Sequence, residues 1–499
     1  MKKLFTILFL GLTTITVAQE TYEDANLASS DLNGTARYVA MGGAMDALGA
    51  DISTIGTNPA GIGLFRTSTI NLSGGFVSQP GGGDTKVSLD QVGFVYALKS
   101  TPNSFFNVGF NYHKSKNFNQ ILSVADRLQN ASLNKLTYIK GAEGYLFDDN
   151  GRDYITSTRL DEIIANSVLW EEDAQAYLYK NATGYIFDRK HKGYIGDYDF
   201  NLSGNIHDRW YWGVTLGIHD VHYKANTNYS EALEPNGLNL DEMNILDERR
   251  ISGVGIDAKL GVIWRPVETS PFRVGLSLAT PTFYDLESES LTYNGRDRVS
   301  SYYKFKLNTP WKLGLSLGHT FGTNFAIGAV YEYADYSHID NRINDGWDGW
   351  EDYSHKDRDM NAHTKETLKG VSAIKLGAEY KVTPAFALRA GYNYVSPLFD
   401  KNAAKGAFAN GNLVESYGIY FSSTADYTNW QDTHRFTCGA GYAHRNWTVD
   451  LAYQYSQTDG EYHPFMNYYS TDAAMNNIAN FVNVSNKRHQ LLCTVGYKF

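Results

Sequence analysis

Apolar residues in this chain recur at every second position, over stretches long enough to cross a bilayer as strands. In NWTVDLAYQYS, Trp447, Val449, Leu451, Tyr453 and Tyr455 fall on one face, and Thr448, Asp450, Ala452, Gln454 and Ser456 on the other, as the two-residue side-chain period of a strand dictates. SAIKLGAEYK sets Ile374, Leu376, Ala378 and Tyr380 against Lys375, Gly377, Glu379 and Lys381, and GIDAKLGVIW sets Ile256, Ala258, Leu260, Val262 and Trp264 against Asp257, Lys259 and Gly261. One face suits lipid and the other water. Past the first residues no apolar run approaches the ~20 residues of a membrane helix, whereas a membrane strand needs only about 9–11. The mean hydropathy of a polar protein is what such alternation produces. The 36 Tyr, 25 Phe, 9 Trp and 46 Gly, with only 11 Pro, suit a closed barrel, in which inward glycines leave lumen space or let other backbone approach closely.

Fourteen such segments can be counted, near 67–78, 86–98, 104–115, 193–206, 210–224, 252–264, 271–284, 302–318, 324–336, 370–381, 385–396, 434–443, 446–457 and 487–499. Short connections (KSTPN, HDR, RPVETS, HTFGT, KVTP, AHRN) alternate with long ones, near 116–192, 225–251, 337–369, 397–433 and 458–486. Short turns on one rim and long loops on the other are the asymmetry of outer-membrane barrels, and an even count returns both ends to one side. The expected fold is all-β, a transmembrane antiparallel β-barrel of about fourteen strands.

The opening MKKLFTILFLGLTTITVAQ has a basic start, an apolar run from Leu4 to Leu12 and small residues up to Ala18, the layout of a cleaved signal peptide over 1–18. Loss of Lys2 and Lys3 takes the formal charge from −10 to −12, so no nucleic-acid partner is expected. The cysteines, Cys438 and Cys493, fall outward on the twelfth and fourteenth segments, too far apart for a disulfide. At the C-terminus, Leu491, Cys493, Val495, Tyr497 and Phe499 share one face. This row, ending in Tyr497 and Phe499, resembles the signal by which the barrel-assembly machinery recognises outer-membrane barrels.

Residues 20 to about 66 precede the first strand, lack its alternation and are rich in Gly, Ala, Ser and Asp. Within them, Pro59 fixes its own φ and biases Asn58 away from helix, and Asn58 can bond neighbouring backbone, so TNPAG reads as a rigid corner. The stretch ARYVAMGGAMDALGADISTIGTNPAGIG resembles the N-terminal hatch of the FadL-type transporters of long-chain fatty acids and other hydrophobic compounds, with Asp51, Ser53, Thr54, Asn58, Pro59 and Ala60 in the motif positions. LNTPWKLGLSLGHTFGTNFAIGAVYEYADYS, LRAGYNYVSPLF and DTHRFTCGAGYAHRNWTVDLAYQYS are similar to later hairpins of that family. The resemblance implies a hatch over 19–66, with Asn58, Pro59 and Ala60 as its motif, inside a barrel over 67–499. One departure stands out: the helix-like insertion NFNQILSVADRLQNASLNKLTYI follows the third segment, whereas the family's helical capture loops come later.

What the resemblance implies is passive uptake across the cell outer membrane by a monomer. A fatty acid or other lipophile is captured at extracellular loops, passed on by hatch movement and released sideways into membrane lipid. An inward cation would hold a carboxylate, and parity turns Lys259, Lys312, Lys375, Arg389 and Arg435 into the lumen; Asp257, Glu332, Glu379 and Asp450, also inward, are alternative partners for them. No cofactor, metal or enzymatic activity is expected: the His lack ligand spacing, and His113 and Ser115, spaced as in membrane phospholipases, face inward rather than toward lipid. A general porin, with an open charge-lined lumen, and a surface adhesion barrel, using its long acidic Tyr-rich loops, are the alternatives; the Trp-Asp repeat GWDGWEDY is more in keeping with a polar loop than with a calcium or sugar site.

Overall fold

The wall is one antiparallel sheet that closes on itself. In the computed structural model, which describes residues 20–79, 86–142, 158–171, 176–235, 241–347, 352–405, 408–409, 412–413 and 420–499, fourteen strands run in sequence order. They are β1 (Thr69–Ser78), β2 (Lys86–Thr101), β3 (Ser104–Asn117), β4 (Ala182–Ile206), β5 (Trp210–Leu233) and β6 (Glu242–Trp264). Next come β7 (Arg273–Ala279 with Phe283–Tyr293), β8 (Arg298–Asn308 with Lys312–Phe321) and β9 (Phe325–Asp335 with Asp340–Trp347). The rest are β10 (Gly370–Lys381), β11 (Phe386–Val395), β12 (Tyr427–His444), β13 (Trp447–His463) and β14 (Val482–Lys498). β1 pairs with β14 from Thr69↔Lys498 to Ser78↔His489, which closes the barrel. The interruptions in β7 and β8 fall at Pro281 and Pro310, which cannot donate to a ladder. There, Thr309 N donates to Thr282 O (3.1 Å) and Thr282 N to Thr309 Oγ1 (2.8 Å). The signal-peptide reading lies outside the described residues, as does the centre of the Trp-Asp repeat.

The apolar phase of the strands inverts partway along their length. On β5 the outward positions from Trp210 to Ile218 are Trp, Trp, Val, Leu and Ile, and then become Asp220, His222, Lys224 and Asn226. The inward positions change the other way, from Gly213, Thr215 and Gly217 to Val221, Tyr223, Ala225 and Tyr229. Lipid solvates the lower outer wall and water the upper, so the apolar side switches where the strand leaves the bilayer. Above that level the inward residues form two buried clusters, one including Phe118, Tyr223, Tyr284 and Phe305, the other Phe187, Ile245, Tyr462 and Phe465.

Because of this inversion the strands run well beyond the lengths read from alternation: β4, β5 and β6 span 25, 24 and 23 residues. The helix-like insertion after β3 is in fact a strand, Gln120–Ala131, laid on β4 from Gln120↔His191, followed by a helix, Leu133–Ala142. Cys438 and Cys493 are free and exposed, and β13 separates them: Cys438 faces Tyr453, and Leu451 faces Cys493.

Candidate ligand cavity and the split in the wall

Residues 20–64 form short helices packed on the inward face of the strands. α1 (Thr21–Ala28) and α2 (Ala36–Ala40) are followed by 3-10 turns at Ile52–Gly56 and Pro59–Leu64. Side-chain caps set the bends. Asp51 accepts from Ser53 N (3.0 Å) and from Thr35 Oγ1 (2.8 Å). Asn58, extended at ψ 96, accepts from Ala60 N on its Oδ1 (3.2 Å), and Pro59 takes the first position of the second turn, where a missing N–H costs nothing. The corner seats on wall glycines: a Cβ on Gly213 would collide with the Pro59 backbone, and one on Gly261 with the Asn58 side chain. Ala60 is fully buried against Tyr211 and Ile263.

Ion pairs fasten the segment to the wall and engage most of the inward cations. Arg37 Nε donates to Glu379 (2.9 Å), which Arg389 also reaches (2.6 Å) while holding Asp450 (2.6 Å). Lys375 pairs with Glu332 (2.5 Å), and Lys259 with Asp257 (2.9 Å) and Asp199 (3.0 Å). His113 and Ser115 belong to the same inward network, Ser115 Oγ donating to Asp197 (2.8 Å). Asp46, which accepts from Thr57 Oγ1 (2.6 Å), is pushed up to about 7 by burial, opposed by Lys375 and reinforced by Glu332. Lys312 lines the cavity and makes no ion pair among the described residues. Arg435 likewise has no ion pair; it donates to Asn393 Oδ1 (2.8 Å).

Between the N-terminal segment and the upper wall lies a cavity of 510 Å³. Tyr22, Phe118, Tyr284 and Phe399 contribute apolar surface. At one end Lys116, Arg435 and Arg488 gather around the single carboxylate of Asp31. Arg488 lies 3.5 Å from Asp31 Oδ2, Asn117 N donates to the same oxygen (2.9 Å), and Lys116 Nζ donates to Ser29 Oγ (2.8 Å). Burial alone would raise the Asp31 carboxyl, but the three cations, with the Asn117 amide, outweigh it and hold it at about 2. The site thus has more positive than negative charge. A smaller cavity of 60 Å³ among the loops, lined by Leu133, Leu160, Met360 and Met466, shares Glu20 and Lys405 with the larger one, and these two pair at 3.0 Å.

The cavity reaches a split in the wall. β2 stays paired with β1 as far as Lys86, but its pairing with β3 stops at Gln91↔His113, while β3 continues beside β4 to Asn117. Residues 86–90 and 114–117 therefore face one another without a ladder. A bulge at Ser115 turns the β3 backbone here. The N-terminal segment occupies the gap: Asn33 Nδ2 donates to Lys114 O (3.0 Å) and to Asp90 Oδ1 (3.4 Å), and Asp31 N to Ser115 O (2.8 Å).

Parity identifies the inward cations Lys259, Lys375, Arg389 and Arg435, but not the grouping at Asp31. Lys116 escapes because the bulge resets parity: Lys114 lies over the outward Tyr194 ring, whereas Lys116, two residues on, turns inward.

No protein-family model matches the chain, and no curated protein does. Solved structures do. The Ralstonia pickettii toluene transporter TbuX is 13% identical, with a TM-score of 0.50 over 94% of this chain and 99% of that one. The monoaromatic hydrocarbon channel CymD is 12% identical, also at 0.50 over 94% and 99%. A Pseudomonas aeruginosa FadL homologue is 11% identical, at 0.49 over 98% and 100%. The fold is that of the FadL-type barrels.

Proposed function

We propose that the protein is a passive outer-membrane channel for hydrophobic molecules, and that its cargo includes lipophiles with an anionic head, such as long-chain fatty acids. The carrying observation is the cavity: apolar along one side, cationic at Lys116, Arg435 and Arg488, and leading to an unladdered gap that residues 31–33 occupy. A fatty acid would be captured among the loop helices beside Leu133, Leu160 and Met466, pass the Glu20–Lys405 pair, and lie with its carboxylate at the three cations and its chain along Tyr22 and Phe118. Residues 19–66 act as the hatch, with Asn58, Pro59 and Ala60 as its fixed corner. Withdrawal of Asp31 and Asn33 from β3 opens the wall between β2 and β3, and the cargo leaves sideways into membrane lipid. The similarity of fold to toluene and monoaromatic hydrocarbon channels supports the hydrophobic part of this reading.

The test is to tether the gap. In the double variant Asn33→Cys, Asp90→Cys, at two positions whose side chains meet across the gap (3.4 Å), uptake of labelled fatty acid by cells should stop under oxidising conditions and recover on reduction. Uptake that ignores the tether rules out exit through this gap.

A further inference from the structure

The outer surface of β4, β5 and β6 carries a second feature, away from the cavity. Their outward residues form three columns that start in register at Ile206, Trp210 and Trp264, where the two indoles stack at 5.4 Å. Above them come exposed apolar residues, among them Phe200, Leu216 and Ile256, and then Tyr194, His222 and Ser252 opposite one another. The next outward step places Lys192 opposite Lys224, and Lys224 opposite Arg250. All three are exposed, and none makes an ion pair among the described residues.

Like charges directly opposite on neighbouring strands destabilise a sheet, and this row sits in a chain of net charge −10. The nearby acids do not neutralise it. Asp220 is paired with His222 (2.9 Å), while Glu289, opposite Arg250, and Glu248, two residues along β6, close no ion pair onto the row. Lys114 adds a fourth cation beside it, 5.0 Å from the Tyr194 ring centroid at the lip of the split.

Depth indicates what such a row meets. Lys224 is fourteen residues beyond Trp210 on β5. At about 3.4 Å per residue and a tilt of ~40° this is roughly 37 Å along the barrel axis. The apolar band of an outer-membrane barrel is about 25 Å tall, and on β5 the outward apolar run ends at Ile218, so with the Trp210–Trp264 stack at one interface the row stands on the order of 10 Å past the other edge of the band, at headgroup level. The long-loop end of the barrel makes that the outer leaflet.

We propose that Lys192, Lys224 and Arg250, with Lys114 beside them, bind the phosphorylated headgroup of an outer-leaflet lipid, whose acyl chains lie along the apolar columns below. The site rests on the outer-membrane reading above but not on transport, and it places a bound lipid at the edge of the β2–β3 split.

The experiment uses the full-length protein in detergent, with diphosphoryl lipid A as probe, its dephosphorylated form as control and inorganic phosphate as competitor. The wild type should bind the phosphorylated lipid on the order of a hundredfold more tightly than the triple variant K192Q/K224Q/R250Q, about fivefold per cation. Lys304→Gln, an exposed change on β8, should bind as wild type. Equal binding by the triple variant, shown to be folded by its heat-modifiability, overturns the proposal, as does equal binding of the dephosphorylated lipid. Displacement by inorganic phosphate as effective as by lipid reassigns the row to free anions and overturns it too. Fatty-acid uptake by the wild type is measured separately, so failure of the transport reading is distinguishable from failure of this one.

Discussion

Lys116, Arg435 and Arg488 surround one carboxylate, Asp31, with which Arg488 alone closes an ion pair among the described residues, so their surplus charge is the strongest chemical preference the cavity can express. Replacing Arg435 and Arg488 by Gln leaves Asp31 with Lys116, so no carboxylate is orphaned. Binding of a fatty acid should then weaken about tenfold or more, the scale of a lost hydrogen bond to a charged group. Binding of the corresponding fatty alcohol should not change. Titration of both ligands against the double variant checks this, and equal loss for acid and alcohol would mean that the arginines only shape the cavity. Asp46 makes a second, pH-dependent prediction. Burial holds its carboxyl at about 7, above its unperturbed 3.8, so the packed segment binds the proton that a released one gives up. Packing is therefore fully favoured below about pH 4 and weakens as pH rises toward 7. Protection of the amides of residues 34–57, measured as exchange relative to the intrinsic rate at each pH, should fall over that interval, and Asp46→Asn should flatten the dependence.

At the scale of elements, the strands are legible wherever the bilayer imposes its period. Every one of the fourteen segments seen as alternation lies in a strand of the barrel. The upper parts of β4, β5 and β6 are not, because there the apolar residues have moved to the inward face and water wets the outside. The strand Gln120–Ala131 hides for a different reason: its buried Val124 and Leu128 are four apart, a spacing that a helix and a strand both allow. Lys259, Lys375 and Arg389 are identifiable as inward by parity, and so are the acids that engage them, Asp257, Glu332, Glu379 and Asp450; which cation meets which acid across different strands is what parity alone does not give. The TNPAG corner is local and so is legible: its cap, its proline and its small residues are all contiguous. Replacing Asn58 by Ala and Pro59 by Gly should leave the barrel folded while loosening the segment, at a cost on the order of 1 kcal/mol for the backbone freedom restored. Heat-modifiability should persist, and fatty-acid uptake and small-molecule leak through reconstituted protein should change. An inserted variant with normal uptake and leak would reduce the motif to a turn before a strand.

The whole molecule depends on one seam. Thirteen of the fourteen strand contacts join strands adjacent in sequence, whereas β1 and β14 must find each other across the full chain, and only their pairing removes the last sheet edges from lipid. The C-terminal residues make the lower end of that seam. Tyr497 faces Ile70 on one side and Trp447 on the other, its ring 4.8 Å from the indole, and Phe499 N donates to Ser68 O (3.0 Å). The Phe499 side chain is exposed and lies 6.3 Å from the Tyr497 ring, so the two continue the outward aromatic row into the interface. Neither touches the cavity. A defect from losing them should therefore appear in assembly and not in ligand handling. Deletion of Tyr497–Phe499, or Phe499→Ala alone to a lesser degree, should leave export across the inner membrane intact and lower the amount of heat-modifiable barrel in the outer membrane, with unassembled chain accumulating in the periplasm. The barrels that do insert should take up fatty acid at the wild-type rate per molecule. Normal levels of inserted truncated protein would show that closure of β1 on β14 needs none of these contacts, and that the terminal aromatics serve only as outward residues of the last strand.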